Sequence, residues 1–390
     1  MSLNPPAPSK RSNISPFIVM DVMRAAAERE ASGAAVIHME VGEPGSAPPL
    51  AAREAVMRLL SGGPVGYTGA FGLPALRARI SQHYQDLYGV SVDPERIVVT
   101  MGSSAAFILS FLAAFDAGDR ICVQIPGYPA YRNTTAALDL VPVSLRTSAA
   151  TRWTPTPTQV REAHMQAPLK GLLIASPNNP TGTVISRSDL SKLAQTARDL
   201  GLWLISDEIY HGLTYGVGET TALAVEPDAI VINSFSKYWC MTGWRVGWMV
   251  VPERLLRPVE KLAQNLFISP PLPSQVAALA AFDAGPELEL IKAGYAENRA
   301  ALMAALPDMG FDEVLPMDGA FYAYASVKRF SNDSRAFAAQ LLAETGIAAT
   351  PGHDFDPEDG HRYLRFSYAG KRESIEACIA GLRAFTARLR

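Results

Sequence analysis

A handful of short polar clusters carry the side chains in this chain that could do chemistry, and each directly follows a short apolar run. Gly102-Ser103-Ser104 comes after IVVTM and before an Ala/Phe/Leu-rich stretch. A glycine turn that opens a helix aims backbone N–H groups and hydroxyls at an anion, and a phosphate fits; the bland alternative is an ordinary serine cap. Ser234-Phe235-Ser236-Lys237 ends the AIVIN run and sets two hydroxyls beside a lysine. A lysine partly withdrawn from water becomes a nucleophile for carbonyl groups, although a surface lysine after a strand is the competing reading. Asp207 ends LWLIS in apolar surroundings. A carboxylate there needs a positive partner, such as a protonated ring nitrogen, or else it caps the next helix. Tyr210, three residues on, falls on the same side of such a helix and could donate to a ring oxygen. Asn179, in Asn179-Pro180-Thr181-Gly182, is a turn residue that could also bond a phenolate oxygen. Tyr128, in Pro126-Gly127-Tyr128-Pro129, is either a core tyrosine or an aromatic face for a flat ring.

Each cluster alone is ambiguous. Jointly they describe one ligand, a phosphorylated pyridine aldehyde: phosphate contacts, a carboxylate for the ring nitrogen and a lysine for the aldehyde. That ligand is pyridoxal 5'-phosphate.

The positioning elements follow from the apolar runs. Ile97–Met101, Ile121–Ile125, Gly171–Ala175, Leu202–Ser206, Ala229–Asn233 and Arg245–Val251 read as strands of continuous apolar character, the pattern of a sheet covered on both faces. Helical stretches alternate with them, which predicts βαβ units, and ligands of such sheets bind beyond the carboxyl ends of the strands. The expected fold class is therefore α/β, a mostly parallel sheet covered by helices with a smaller α+β domain. Residues 1–14 read as a flexible arm, and 15–48 as a segment that packs with the small domain. Within it, apolar residues from Phe17 to Ala27 have helical spacing, and Val36–Val41 reads as a strand ending at the turn Gly42-Glu43-Pro44-Gly45. Residues 49–285 read as the large cofactor-binding domain and 286–390 as the small domain, with helices over 286–306 and 371–389 and strands at Tyr322–Ala325 and Tyr363–Ser367. The acidic run Gly352–Asp359 is expected to be a mobile lid.

Composition excludes several function classes. A net charge of -3 leaves no electrostatic footprint for nucleic acid or an anionic membrane. The longest apolar runs fall well short of a membrane span. Cys122, Cys240 and Cys378 are too few and too scattered for a disulfide framework or a metal cage. They fit a reducing compartment. The opening MSLNPPAPSKR has no apolar segment of signal-peptide type, so a cytoplasmic setting is expected. No G-x-G-x-x-G follows a strand, which argues against a nicotinamide dehydrogenase.

With these residues in view, the chain resembles the class I/II aminotransferases of fold type I, from about Ile14 to its C-terminus. The resemblance lies in Ser234-Phe-Ser-Lys237 running on to Gly243-Trp-Arg245-Val-Gly247, in Ser176-Pro-Asn-Asn179-Pro-Thr-Gly182 and in Ser206-Asp207-Glu208-Ile-Tyr210. Tyr67-Thr-Gly69 with Gly72-Leu-Pro-Ala-Leu-Arg77, and Arg365-Phe-Ser367-Tyr-Ala369, match as well. It implies a Schiff-base lysine at Lys237 that also shuttles the proton, and Asp207 on the ring nitrogen. Tyr210 and Asn179 would bond the phenolate oxygen, and Tyr128 would stack on the ring. Ser103, Ser104, Ser234, Ser236 and Arg245 would hold the phosphate. Arg365, with Asn179 and the Gly42 backbone, would grip a substrate α-carboxylate. Tyr67 would complete the cofactor site of a partner subunit, which implies a homodimer. Arg365 and Arg245 both sit among apolar neighbours and are expected to be buried with an anion, whereas His211 reads as packing. The implied reaction moves an amino group between an α-amino acid and a 2-oxo acid in two half-reactions, with no metal.

Two departures bear on the substrate. Gly45-Ser46-Ala47-Pro48 follows Glu43-Pro44 where many relatives have Asp-Phe, and Ser104 stands where aspartate-specific bacterial relatives carry lysine. Aspartate specificity is thus not implied. A C–S β-lyase or a decarboxylase would share the same cofactor residues. A non-catalytic, cofactor-binding regulator would need a basic DNA-binding module, and the roughly fifty residues before the large domain hold none.

Overall fold

The computed structural model describes residues 7–389. In chain order, helix α1 (Ile18–Ala31) precedes strand β1 (Ile37–His38), and α2 (Leu50–Ser61) and α3 (Pro74–Tyr88) lead into the main sheet. That sheet holds β2 (Ile97–Thr100), β3 (Arg120–Ile125), β4 (Val141–Arg146), β5 (Gly171–Ala175), β6 (Trp203–Asp207), β7 (Ile230–Ser234) and β8 (Gly247–Val250) in the order β2-β8-β7-β6-β5-β3-β4. β8 runs antiparallel to both neighbours, and the other pairs are parallel.

The continuous apolar runs become central strands because both of their faces are covered. Ile97, Val99 and Leu172 belong to the core on one face, while Val98, Val123 and Leu173 belong to the core on the other. Full burial of each such side chain is worth about 1.5–3 kcal/mol. β4 carried no comparable signal in the sequence. It is an edge strand with Pro142 in it, and Leu145 is its only buried residue, so it lacks the continuous apolar run. Helices α4 (Gly102–Ala114) and α5 (Pro129–Ala137) start just beyond the ends of β2 and β3.

After the helix Gly285–Asp308, strands β9 (Tyr322–Ser326), β11 (Thr350–Pro351) and β12 (Tyr363–Ser367) form an antiparallel sheet in the order β11-β12-β9. β10 (Ile347–Ala348) pairs in parallel with β1. The strand expected over Val36–Val41 is thus regular only at Ile37–His38. Beyond it the chain runs as a strap: Met39 N donates to Ala348 O, Ser367 N donates to Met39 O, and Glu40 O accepts from Thr350 Oγ1. Separate apolar cores fill the main sheet and this second region.

The run Gly352–Asp359 is not the lid its acidity suggested. Asp354, Phe355 and Asp356 are buried, Phe355 O accepts from Gly127 N and from Arg132, and Asp356 caps the amides of Glu358 and Asp359. Asp354 and Asp356 serve as internal hydrogen-bond acceptors, whereas Glu358 and Asp359 pair with Arg146 at the surface. Of the arm expected over 1–14, residues 1–6 lie outside the described residues. Residues 7–14 are exposed, with a short turn at Lys10–Ser12 and an ion pair from Arg11 to Asp139. Among the described residues, no helix is long and apolar enough to cross a membrane, no cluster of side chains could hold a metal ion, and the cysteines are buried and free.

Candidate active site

A cavity of about 360 Å³ opens at the carboxyl edge of the main sheet, in the size range of a small-ligand site. Its floor is built from strand ends. Asp207 closes β6, Ser236 and Lys237 follow β7, Ser103 and Ser104 open α4 after β2, and Tyr128 precedes α5 after β3. Asn179, Tyr210, Arg245, Gly42 and Arg365 line it too. The fold therefore brings most of the expected residues into one space.

At one end, α4 begins at Gly102 with no side-chain cap, so its first-turn amides are free for an anion. Gly102 has φ +73°, and a Cβ there would lie 2.4 Å from the Arg245 guanidinium. Glycine is what lets the guanidinium close over the turn. Arg245 departs from expectation: it is exposed, Val246 beside it in sequence takes the buried place, and its Nη1 donates only to Thr242 O, 3.1 Å away. Ser234 does not reach the cavity. It is fully buried, bonds Ser236 Oγ at 2.8 Å and Val246 O at 3.1 Å, and so supports Ser236 from behind.

In the middle, Asp207 is 3% exposed. Its Oδ1 accepts from Ile209 N at 3.0 Å and its Oδ2 from Tyr131 Oη at 2.5 Å. No helix follows Asp207; the chain turns immediately, so the helix-cap alternative fails and Tyr210 reaches the cavity from a turn. Burial pushes the Asp207 carboxyl up to about 6 against those two hydrogen bonds. A buried carboxylate held only by neutral donors is suited to a cation. Lys237 Nζ donates to Gly42 O at 2.5 Å. Burial lowers its pKa to about 8, helped by the positive charges of Arg365 and Arg245 and opposed by Glu43 and Asp207. Tyr210 Oη lies 2.8 Å from Tyr322 Oη, and the two are edge-on.

At the other end, Arg365 is 4% exposed. Nη1 donates to Asn179 Oδ1 at 2.9 Å and Nη2 to Glu40 O at 2.6 Å, while Nε has no partner. The guanidinium lies 4.3 Å from the centre of the Tyr322 ring and 4.7 Å from that of Phe355. Among the described residues no ion pair joins Arg365 to a carboxylate, although its charge reaches the Asp354 carboxyl, so a buried cation lines the cavity without a salt-bridge partner. Phe17, Val19, Met20, Met23 and Val41 line the same cavity as an apolar wall.

Tyr67 is apart from this chain's own cavity and is 83% exposed. His211 is buried and bonds Tyr88 Oη at 2.6 Å, which is packing, as expected. The sequence reading missed Tyr131, Tyr322 and the α1 wall. Tyr131 had a usable signal, its position three residues after Tyr128 where a helix follows a strand. Tyr322 had no such mark, because its partners lie far away in sequence.

The residues present fit pyridoxal phosphate on these observations: an uncapped helix start under a guanidinium that only a glycine admits, a buried carboxylate lacking a cation, and an amine of lowered pKa between them. Comparison with known proteins agrees. The family model described as aminotransferase class I and II matches residues 34–382. A valine–pyruvate aminotransferase of Mycobacterium tuberculosis is 44% identical over 373 residues, covering 95% of this chain and 96% of its own. The crystal structure of an aminotransferase from Mycobacterium tuberculosis superposes with a TM-score of 0.96 at 42% identity, covering 98% of this chain and 100% of that one. The structure of Thermus thermophilus aspartate aminotransferase with maleate gives a TM-score of 0.92 at 29% identity, covering 99% and 100%.

Proposed function

This chain belongs to the class I and II aminotransferases, and from that premise we propose that it transaminates small or medium apolar α-amino acids against a 2-oxo acid. It is a pyridoxal-phosphate-dependent transaminase. The observation that carries the choice of donor is the pairing of one arginine without an ion-pair partner, Arg365, with an apolar wall from α1. Among the described residues lining the cavity the cations are Lys237, Arg245 and Arg365. Arg245 stands at the phosphate end and Lys237 at the reacting atom, which leaves one cation for one carboxylate. The 44% identity to a valine–pyruvate aminotransferase supports the same donor class.

When bound, the cofactor supplies an aldehyde for the amino group and a ring that accepts electrons as the α-carbon loses its proton. The chain supplies the rest. Ser103, Ser104, Ser236, Arg245 and the α4 amides hold the phosphate, with Ser234 setting the Ser236 rotamer. Asp207, fixed by Tyr131, keeps a proton on the ring nitrogen. Asn179 and Tyr210 bond the ring oxygen, and Tyr128 covers the ring face. Arg365 and Asn179, beside Gly42, orient the substrate carboxylate, so that the α-carbon hydrogen points at Lys237. The lowered pKa of Lys237 raises its neutral fraction near pH 7, the form that can take the α-carbon proton. Tyr322 and Phe355 shield the Arg365 guanidinium from water, which strengthens its hold on a carboxylate.

Tyr67 completes the site of a second copy, so the working unit is a homodimer. Its exposure, and that of Met57, Leu60 and Val65 close by in sequence, supports a surface made for such a partner. Residues 15–48 and 286–390 form one unit against 49–285, supported by the β1–β10 pairing. The cytoplasm is its setting.

The test is to mix the purified holoenzyme with single amino acids, without an oxo acid, and record the visible spectrum. Branched apolar donors should bleach the band stoichiometrically and lastingly, and aspartate should not. A band that bleaches and returns while product accumulates would instead indicate a lyase or a decarboxylase. Lys237→Ala should abolish the lysine-dependent band and cut turnover by more than about 10⁴-fold, the loss of both nucleophile and proton carrier.

A further inference from the structure

We propose that Asp354 is a positioning residue of this site: its carboxylate holds the first turn of α1 over the cavity and so sets the wall that the donor side chain meets. The inference rests on the reading of this cavity as the substrate site. α1 is poorly anchored by its own packing. Ala26 is its one buried residue, and Val22 and Ala26 pack against Leu342 and Ala348 toward the middle of the helix. The first turn, which carries the wall residues Val19 and Met20, adds no residue to that cluster. Phe17 stands at the cap position and offers no side-chain acceptor.

The missing acceptor comes from 336 residues away. Asp354 Oδ1 accepts from Ile18 N at 3.1 Å and Oδ2 from Val19 N at 3.2 Å. One carboxylate thus serves two of the amides that a helix start leaves unpaired, and its charge suits the positive end of the helix. Asp354 is itself fixed. It is 4% exposed, and its backbone O accepts from Arg132 Nη2 at 3.0 Å while Arg132 Nη1 donates to Phe355 O at 3.0 Å. Burial pushes its carboxyl up, against the two amides and the charges of Arg365 and Arg132.

The brace links what must be aligned. Phe355, next in sequence, packs on the Arg365 guanidinium; Arg132 belongs to α5, which also carries Tyr131 against Asp207; and Phe17 contacts Tyr128 with ring centres 5.8 Å apart. A change at Asp354 should therefore move the wall without removing a group that touches the cofactor.

The experiment compares holoenzymes carrying Asp354→Ala and Asp354→Asn with the parent, using valine and alanine as donors. Asp354→Ala should raise KM for valine about tenfold, the size of one to two lost helix-cap bonds. It should leave kcat within about twofold, because the reacting groups keep their places. Alanine, too short to reach the wall, should change KM by less than about threefold. Asp354→Asn keeps one acceptor and should fall between. Amide hydrogen exchange over residues 16–24 should speed up in Asp354→Ala, with the visible band unchanged. Equal losses for both donors, a fall in kcat at constant KM, or unchanged exchange over 16–24 would overturn the proposal. If Asp354→Ala does not fold, Asp354→Asn carries the same donor comparison and exchange measurement. Failure of the substrate reading shows separately, as a parent enzyme that does not turn over valine. The exchange measurement then still decides whether Asp354 holds α1.

Discussion

The two ends of the cavity are made by different means. The end proposed for the cofactor stands on the carboxyl edge of one sheet: Asp207 ends a buried strand, and Ser103 and Ser236 each follow one within a few residues. The end proposed for the substrate is assembled from Phe17 to Met23, the 39–42 strap, Tyr322, the turn at Phe355 and Arg365 on β12. Its hydrogen bonds span 186 residues for Arg365–Asn179, 325 for Arg365–Glu40 and 336 for Asp354–Ile18. A strand end fixes a side chain locally, because the sheet on both sides holds the backbone. A wall made of one short-capped helix and a strap holds only while its distant partners are in place. The contrast suggests a division of labour: a rigid seat for the group common to the family, and an adjustable wall for the substrate.

If the ends are separable, a change at Arg365 should break substrate handling alone. Arg365→Lys keeps the charge but loses the planar fork that bonds Asn179 and Glu40 and offers a free Nε. We expect kcat/KM for the amino acid to fall about 10²- to 10³-fold, the scale of a disrupted buried charge contact. The visible band and the cofactor dissociation constant should stay as in the parent. Loss of bound cofactor in this variant would show that the ends are one structure.

The same contrast explains what could be read in the sequence. The mostly parallel sheet and the polar residues gathered at its edge were legible because each polar cluster directly follows an apolar run, as with Asp207 after LWLIS. Arg365 was legible because an arginine inside a strand pattern demands an anion. Tyr322, Asp354 and the α1 wall were not, since nothing within a window of ten or so residues marks their partners. Gly352–Asp359 misled for a related reason. Acidity usually means solvent, but here Asp354 and Asp356 turn inward to cap amides. Arg245 misled in the opposite direction: apolar neighbours suggested burial, yet only Val246 and Trp248 go inside, and Arg245 points out over Gly102.

A second test uses the lysine that joins the two ends. In the role proposed for Lys237, capture of the cofactor by the apoenzyme needs its neutral amine. Burial lowers its pKa to about 8, because the charged form loses more than the neutral form on leaving water. Below that value the neutral fraction rises about tenfold per pH unit, from roughly 1% at pH 6 to about half at pH 8. The rate at which the visible band grows after mixing should therefore climb about 50-fold between pH 6 and pH 8 and level off above pH 9. An ordinary exposed lysine, titrating near 10.4, would keep climbing through pH 10. Such a climb would show that the amine is wetter than its surroundings imply.

A further test probes the end proposed for the cofactor by geometry alone. A Cβ at Gly102 would meet Arg245 Nη2 at 2.4 Å and its Cζ at 2.9 Å, and these are the far atoms of a flexible, exposed side chain. In Gly102→Ala the guanidinium can swing away, so the sheet and α4 should survive. The left-handed backbone at φ +73° adds a strain of about 1–2 kcal/mol for a residue with a side chain. What is lost is the closure of Arg245 over the first turn of α4, and with it the charge-assisted contact to a phosphate proposed for that guanidinium. Such a contact is worth about 1.5–3 kcal/mol, so the cofactor dissociation constant should rise roughly 10- to 100-fold. With saturating cofactor, KM for the amino acid should be unchanged, because Arg365 and the α1 wall lie at the other end of the cavity. A change in donor KM under those conditions would mean that strain at the α4 turn reaches the substrate wall, and the two ends would have to be treated as mechanically coupled.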